Sequence, residues 1–438
     1  MDTTALAHLN VSLTTPLLVL QMLQQFAVNN TGENSTIVVN HLNWLTDYIK
    51  RDNFEIVDEV KQSVCSEEKK AFSFLLKNGA SGYLLNMSVK KMNKQVMEWL
   101  LNNHADVNSR YEGGNTALHI ATAQNNVEFV KLILSWKADT TLYNNETLTP
   151  LLLAARMGHV EVVRVLLDHN PTHVDAVGNN KNTALHEAVL AGHRDVVALL
   201  ISRDAALDLQ NEPLQETPFL LAATKGHKDI LEILVKNEAY TNATDKNYNT
   251  ALHRAAMEGR HKIIKYLLTL GIYINAQNKN KQTALFVAVT EGHDSIAEML
   301  IKERARIDIR DQFKNTLLHV AADSGSTKIA NIALAKSVDV NSLTNGGATP
   351  LHRAAAKNKT EVAEILLKNY ALINIKNGEG QTPLHFAARH NSVEMAKLLL
   401  ENDPDLIEIK DVYGQNAEQT AERYRSFEVQ VLLLKAKN

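Results

Sequence analysis

Cysteine is almost missing from this chain: Cys65 is the one thiol in 438 residues. No intrachain disulfide can form, and such usage implies a reducing compartment. Among helical polar neighbours, Cys65 reads as a small half-buried side chain rather than a reactive thiol. Long apolar runs are missing too. The segment from Val11 to Val28 is interrupted by Thr14, Thr15, Pro16, Gln21, Gln24 and Gln25, too broken for a membrane span of about 20 apolar residues. The residues before it contain Asp2 and no Lys or Arg, unlike a secretory signal. An excess of one charge is also absent: Lys and Arg number 46, Asp and Glu 49, for a net charge of −3. Bulk attraction to nucleic acid or anionic lipid needs clustered positive charge. Residues 1–80 hold six basic and nine acidic side chains, which leaves the remainder neutral. What is present is ordinary for a folded chain, with 45% hydrophobic and 22% charged residues.

The chain repeats itself. Thr-Ala-Leu-His occurs at Thr116, Thr183 and Thr250, and Thr-Pro-Leu-His at Thr349 and Thr382. Related forms start at Thr149, Thr217, Thr283 and Thr316, so successive copies are 33 or 34 residues apart. Weaker copies are in phase at Tyr83 and Asn416, which makes eleven units over about 83–438.

Each unit has the same physical plan. In the copy from Thr250, Leu252, Ala255 and Ala256 share one face of a short helix that Gly259 breaks. Ile263, Ile264, Leu267 and Leu268 mark a second helix, which Gly271 ends as a residue able to take positive φ. Ile272-Tyr273-Ile274-Asn275 then leads into a polar turn before Thr283. No single unit buries both its helices, so the units must stack.

The period, the T-x-L-H tetrapeptides, the Gly-His pairs (Gly158-His159, Gly192-His193, Gly226-His227, Gly292-His293) and Ala105-Asp106-Val107-Asn108 resemble the ankyrin repeat family. The resemblance covers about four-fifths of the chain. It implies an all-α curved solenoid of about eleven helix-turn-helix units with short β-hairpin fingers, plus a helical N-terminal cap. Residues 1–50 read as a helical extension, 51–82 as a degenerate capping unit, 83–415 as the array and 416–438 as a C-terminal capping repeat. In the last of these, Glu418, Glu422, Arg423, Arg425 and Glu428 supply polar residues. In the repeat from Thr316, Ala333 and Ala335 stand in the second helix where neighbours carry Leu, which predicts a soft seam around 325–340.

The histidines invite a metal reading that the phase removes. His119, His186, His253, His319, His352 and His385 share the fourth tetrapeptide position. In the family such a ring bonds the tetrapeptide Thr and neighbouring backbone, tying units together. His159, His193, His227 and His293 sit at the helix–helix turn. One cysteine cannot build a zinc cluster, and no G-x-S-x-G, phosphate-cradling loop or kinase signature is present. The chain is therefore read as a non-enzyme without metal or cofactor. Gly346-Gly347 falls at a finger tip and reads as a turn. Lys246, Lys279 and Lys281 lie on neighbouring loops but are diluted by Glu216, Glu291 and Glu379, which argues against nucleic acid.

The resemblance places partner contacts one to four residues before each tetrapeptide and seven and eight after its Thr. Those positions give Arg156, Met157, Lys246, Asn247, Met257, Phe313, Asp323, Arg389 and His390, with Tyr111, Tyr143 and Tyr248 close to the finger tips. Exposed aromatic, Met and Arg side chains are what binding hot spots use. The expectation is a monomeric cytoplasmic scaffold that holds protein partners in a concave groove, with no membrane insertion. Two other readings stand beside it. One is an effector of an intracellular bacterium or parasite acting on host proteins; the other is an adaptor that recruits an enzyme through residues 1–80.

Overall fold

The computed structural model of the chain describes residues 80–437. The expected extension over 1–50 and most of the capping unit over 51–82 lie outside them. Two compact units divide the chain between Ala206 and Leu207.

The first unit holds four helix pairs: Ala80–Lys90 with Lys94–Asn102, Ala117–Ala123 with Val127–Ser135, Pro150–Met157 with Val160–His169, and Ala184–Ala191 with Arg194–Ile201. The second holds seven: Pro218–Lys225 with Lys228–Lys236, Ala251–Met257 with His261–Thr269, Ala284–Thr290 with Asp294–Lys302, Leu317–Ser324 with Thr327–Ala335, Pro350–Ala356 with Thr360–Lys368, Pro383–Arg389 with Val393–Asn402, and Ala417–Arg423 with Phe427–Lys437. The tetrapeptide Thr is the N-cap of each first helix in the nine strong copies. There it holds β-region dihedrals and supplies an oxygen to the first turn. Pro at the next position loses nothing, because that N–H has no partner inside a helix.

Within each unit the first helices pack side by side, and the Ala-Ala pairs they bury allow close approach. Ala255, Ala256, Ala354, Ala355, Ala387 and Ala388 are all completely buried. The second helices back them with a column of large side chains. In the second unit it runs Leu234, Leu267, Leu300, Ala333, Leu366, Leu399 and Leu433, all 0% exposed. Ala333 is its one small member. The same repeat buries Leu317 where the others carry Ala or Pro.

The expected fingers are present as closed turns, with no strand among the described residues. Each is too short for a ladder: in one, Asp245 N–H donates to Asn249 O at 3.1 Å and Tyr248 N–H to Asp245 O at 2.9 Å. The Asp245 carboxylate closes the turn by accepting from the N–H groups of Asn247 and Asn249. Consecutive fingers in the second unit are joined by single backbone bonds: Lys246 N–H to Leu214 O, Lys279 to Asn247, Gln312 to Asn280, Asn345 to Phe313, Gly378 to Gly346 and Val412 to Glu379, at 2.8 to 3.0 Å.

The tetrapeptide histidines tie repeats as the resemblance implied. His319 Nδ1 lies 2.8 Å from the Thr316 hydroxyl and 3.1 Å from its backbone nitrogen, and Nε2 lies 3.1 Å from Ala348 O in the next repeat. A carbonyl only accepts, so Nε2 carries the proton, while Nδ1 accepts from the Thr316 N–H. The ring is neutral. His119 to Leu148 O, His253 to Gln282 O, His352 to Gln381 O and His385 to Gln415 O repeat the device. The turn histidines reach backward instead: His193 Nε2 donates to Arg156 O and His293 Nε2 to Met257 O. A Cβ on Gly158, at φ +77°, would meet the His193 ring at 2.6 Å, which is why glycine precedes the turn there.

Candidate protein-binding face

The framework residues are buried and bonded, so in each unit the face available to a partner consists of the first-helix C-termini and the fingers. Tyr248 and Phe313 project from finger tips at 60% and 55% exposure. Tyr248 holds φ +60°, a left-handed position filled by Gly347, Gly380 and Gly414 in later fingers. Lys246 and Asn247 are exposed beside it. Met257 is half-buried and lines a polar cavity of about 230 Å³ with Asn247, Asn249, Asn280, Gln282 and Glu291. Met157, Arg389 and His390 are exposed. Burial, with the positive charges of Arg389 and Lys357, holds His390 below the usual histidine range.

Four expected contacts differ from the sequence reading. Tyr111 is buried, its hydroxyl donating to Glu112 at 2.8 Å and Lys90 Nζ 5.5 Å from its ring centre; it anchors its finger and presents no ring to a partner. Tyr143 keeps an exposed ring but donates its hydroxyl to Val177 O at 2.9 Å, so it also braces the next finger. Arg156 is clamped, with Nε on Glu187 at 2.8 Å and Nη1 on Glu146 at 3.0 Å. Asp323 is only partly open and faces Arg353 Nη1 at 3.7 Å; burial raises its carboxyl above the usual range.

The structure also assembles groups that the sequence reading did not single out. Arg254, its side chain 15% exposed, sits between two carboxylates: its Nη2 is bonded to Glu216, and its Nη1 lies 3.9 Å from Asp245. Its Nε donates to the Thr224 hydroxyl at 3.2 Å. Glu216, expected to dilute the loop lysines, is thus removed from the surface. Burial raises its carboxyl above the usual range, and the pull of Arg254 only partly offsets that. The signal was present in the repeat phase. The residue after the tetrapeptide position four meets the residue seven after the preceding Thr, and the one just before it. Arg353 with Asp323 and Asn315 obeys the same rule, as does Arg156 with Glu187 in reversed charge order.

Among the described residues no group of three His, Cys, Asp or Glu side chains is placed to hold a metal ion. No helix there is long and apolar enough to cross a membrane.

Comparison with known proteins agrees with this architecture. Family models described as "Ankyrin repeats (3 copies)" match residues 60–144, 136–211, 203–278, 219–311 and 285–377, and "Ankyrin repeats (many copies)" matches 366–421. Human transient receptor potential cation channel subfamily A member 1 is 31% identical over 163 residues, 33% of this chain and 15% of that protein. The Drosophila melanogaster ankyrin repeat and KH domain-containing protein mask is 39% identical over 99 residues, 22% of this chain and 2% of that protein. Canine inversin is 36% identical over 111 residues, 25% of this chain and 10% of that protein. The chain therefore spans only a small part of the curated relatives it matches, and the likeness lies in the repeats. With repeat models matching from residue 60 to 421 and the paired helices in phase throughout, the chain belongs to the ankyrin repeat family, whose repeats are protein–protein interaction modules.

Proposed function

We propose that this chain is a non-catalytic scaffold that holds protein partners on the face made by its first helices and fingers. One contrast carries the reading. The positions common to the repeats are buried and internally bonded, whereas positions that vary between repeats expose Met157, Tyr248, Phe313 and Arg389. Large rigid side chains at such places give contact area at low entropic cost.

The test is an affinity pull-down with mass spectrometry, using the full chain and a variant carrying Tyr248→Ala, Phe313→Ala and Arg389→Ala. Far-UV circular dichroism checks that the variant keeps its helices. Proteins retained by the wild type and lost by the variant are the expected result. Identical retention by both chains would overturn the placement of the binding face.

A further inference from the structure

The charge of the inner face changes along the second unit. The residues seven and eight after each Thr are Thr224 and Lys225, then Met257 and Glu258, then Thr290 and Glu291, then Asp323 and Ser324. Thereafter they are Ala356 and Lys357, Arg389 and His390, and Arg423 and Tyr424. Lys357, Arg389, His390 and Arg423 are all exposed, and none of them enters a salt bridge among the described residues. The exposed positions of the fingers above this stretch hold one acid, Glu379, and are otherwise Gly, Asn345, Val412 and Tyr413; Asp411 is buried in its turn.

Polar groups here are also incompletely paired. Arg353 has one ion pair at 3.7 Å and one 3.3 Å bond to Asn315. Its Nε and the Asp323 Oδ1 are buried without a partner, as is Oε1 of Gln381 in the next repeat. Unpaired buried polar atoms cost stability, and these three fall in the repeats from Thr316 to Thr382. The guanidiniums above are held in place: Arg389 lies 4.8 Å from the Tyr424 ring centre, and Arg423 lies 5.9 Å from Tyr424 and 6.0 Å from Tyr413. Stacking on a ring fixes the guanidinium plane and leaves in-plane N–H groups to meet a carboxylate; on Arg423 one of them, Nη1, already donates to Gln415 Oε1 at 3.3 Å.

From this we infer that the inner face over the repeats starting at Thr316, Thr349, Thr382 and Asn416 is a docking groove for an acidic, extended segment of a partner protein. This rests on the protein-binding reading above and names the chemistry of the partner. Neighbouring packed helices lie about 8–10 Å apart and an extended chain advances about 3.3 Å per residue. One carboxylate in every third residue therefore meets successive repeats at Arg353 and Lys357, at Arg389 and His390, and at Arg423. A polynucleotide fits less well. Its phosphates form a continuous negative rod, which would meet Glu379 and, one and two repeats beyond the groove, Glu291 and Glu258.

The experiment uses the full chain. A random twelve-residue peptide library displayed on phage is panned against it, and the recovered peptides are synthesised with a fluorophore for anisotropy titration. Asp or Glu at every third position is expected, with affinity falling as salt rises. The variant Lys357→Glu/Arg389→Glu, with both sites exposed and its helix content checked by circular dichroism, should bind about 100-fold more weakly, or roughly tenfold per reversed charge. Arg353→Gln should weaken binding less. Binding that survives the double reversal overturns the proposal, whatever the peptide composition. So does equal displacement of the peptide by a twelve-residue oligothymidylate, which would mark a site for any polyanion. If the recovered peptides are apolar and are lost with Tyr248→Ala/Phe313→Ala, the acidic partner is wrong while the wider binding face stands. If no inner-face or finger substitution alters binding, both readings fail.

Discussion

Arg254 and Arg353 occupy one position of the repeat, three repeats apart, and their surroundings are opposite. Around Arg254 the framework supplies Glu216, Asp245 and Thr224. The same three places around Arg353 are Asn315, Thr344 and Asp323. One guanidinium, on a side chain 15% exposed, is closed by two carboxylates of its own chain. The other is half-exposed, holds one distant carboxylate and keeps its Nε unpaired. In an array whose backbone barely varies, a charge neutralised from within serves the fold, and a charge left over is available to a partner. Residue type alone does not distinguish the two cases; the columns facing it in the adjacent repeat do.

The largest way to break this comparison is to remove each arginine in turn. Arg254→Ala leaves Glu216 buried without its cation, and breaking a buried pair by taking one partner costs about 3–5 kcal/mol. Arg353→Ala removes a part-exposed ion pair of the kind worth about 0–1 kcal/mol. Urea unfolding followed by circular dichroism should place the Arg254→Ala midpoint well below wild type and the Arg353→Ala midpoint close to it. Equal losses would show that the two sites are structurally alike, and would remove the reason for treating Arg353 as open.

Much of the fold is legible in the sequence because it repeats. The Thr at each phase start is the N-cap observed, Gly259 turns with positive φ where the reading has it break the first helix, and the tetrapeptide histidines bond as expected. The candidate face was legible only in outline. The pairs that decide which groups are free join residues 38 apart, as in Arg254 to Glu216, or 30 apart, as in Arg353 to Asp323. No local pattern marks such pairs. Aligning the repeats column by column does, once the facing columns are known. Tyr111 shows the opposite difficulty: nothing in its neighbourhood marks it as the buried anchor of its finger rather than an exposed tip.

The histidines sharpen the contrast along the same axis. The repeats from Thr316, Thr349 and Thr382 each carry one, whereas of the three earlier repeats in the second unit only that from Thr250 does, with Leu220 and Phe286 at that place in the repeats from Thr217 and Thr283. Burial, assisted by nearby arginines, pushes His319 and His352 down to about 4. The folded chain then binds fewer protons than the unfolded chain, where an ordinary histidine titrates near 6.5. Stability is therefore full above about pH 6.5 and declines as pH falls toward about 4, by at most roughly 3 kcal/mol for each such ring. Hydrogen exchange followed between those pH values, after correction for intrinsic rates, should show protection lost first over 316–415. Uniform loss along the second unit would detach acid sensitivity from these rings. His352→Leu should flatten the response of its own repeat.

The smallest expected effect concerns Ala333, in the repeat that supplies Asp323 to Arg353. Its column is otherwise leucine throughout the second unit, so the helix Thr327–Ala335 backs its neighbours with less apolar surface than His261–Thr269 does. A full Leu-to-Ala cavity costs about 2–5 kcal/mol. Leu317 adds buried volume to the same repeat, so the expected deficit is smaller, about 1 kcal/mol. At that size the helix amides should exchange roughly fivefold faster than those of His261–Thr269 at neutral pH. Ala333→Leu should then slow them if the site has room, and speed them if Leu317 already fills it. Equal protection in the two wild-type helices would mean that the repeat is packed as tightly as its neighbours. Arg353 would then be open solely because of its polar surroundings, with no contribution from a looser frame beneath it.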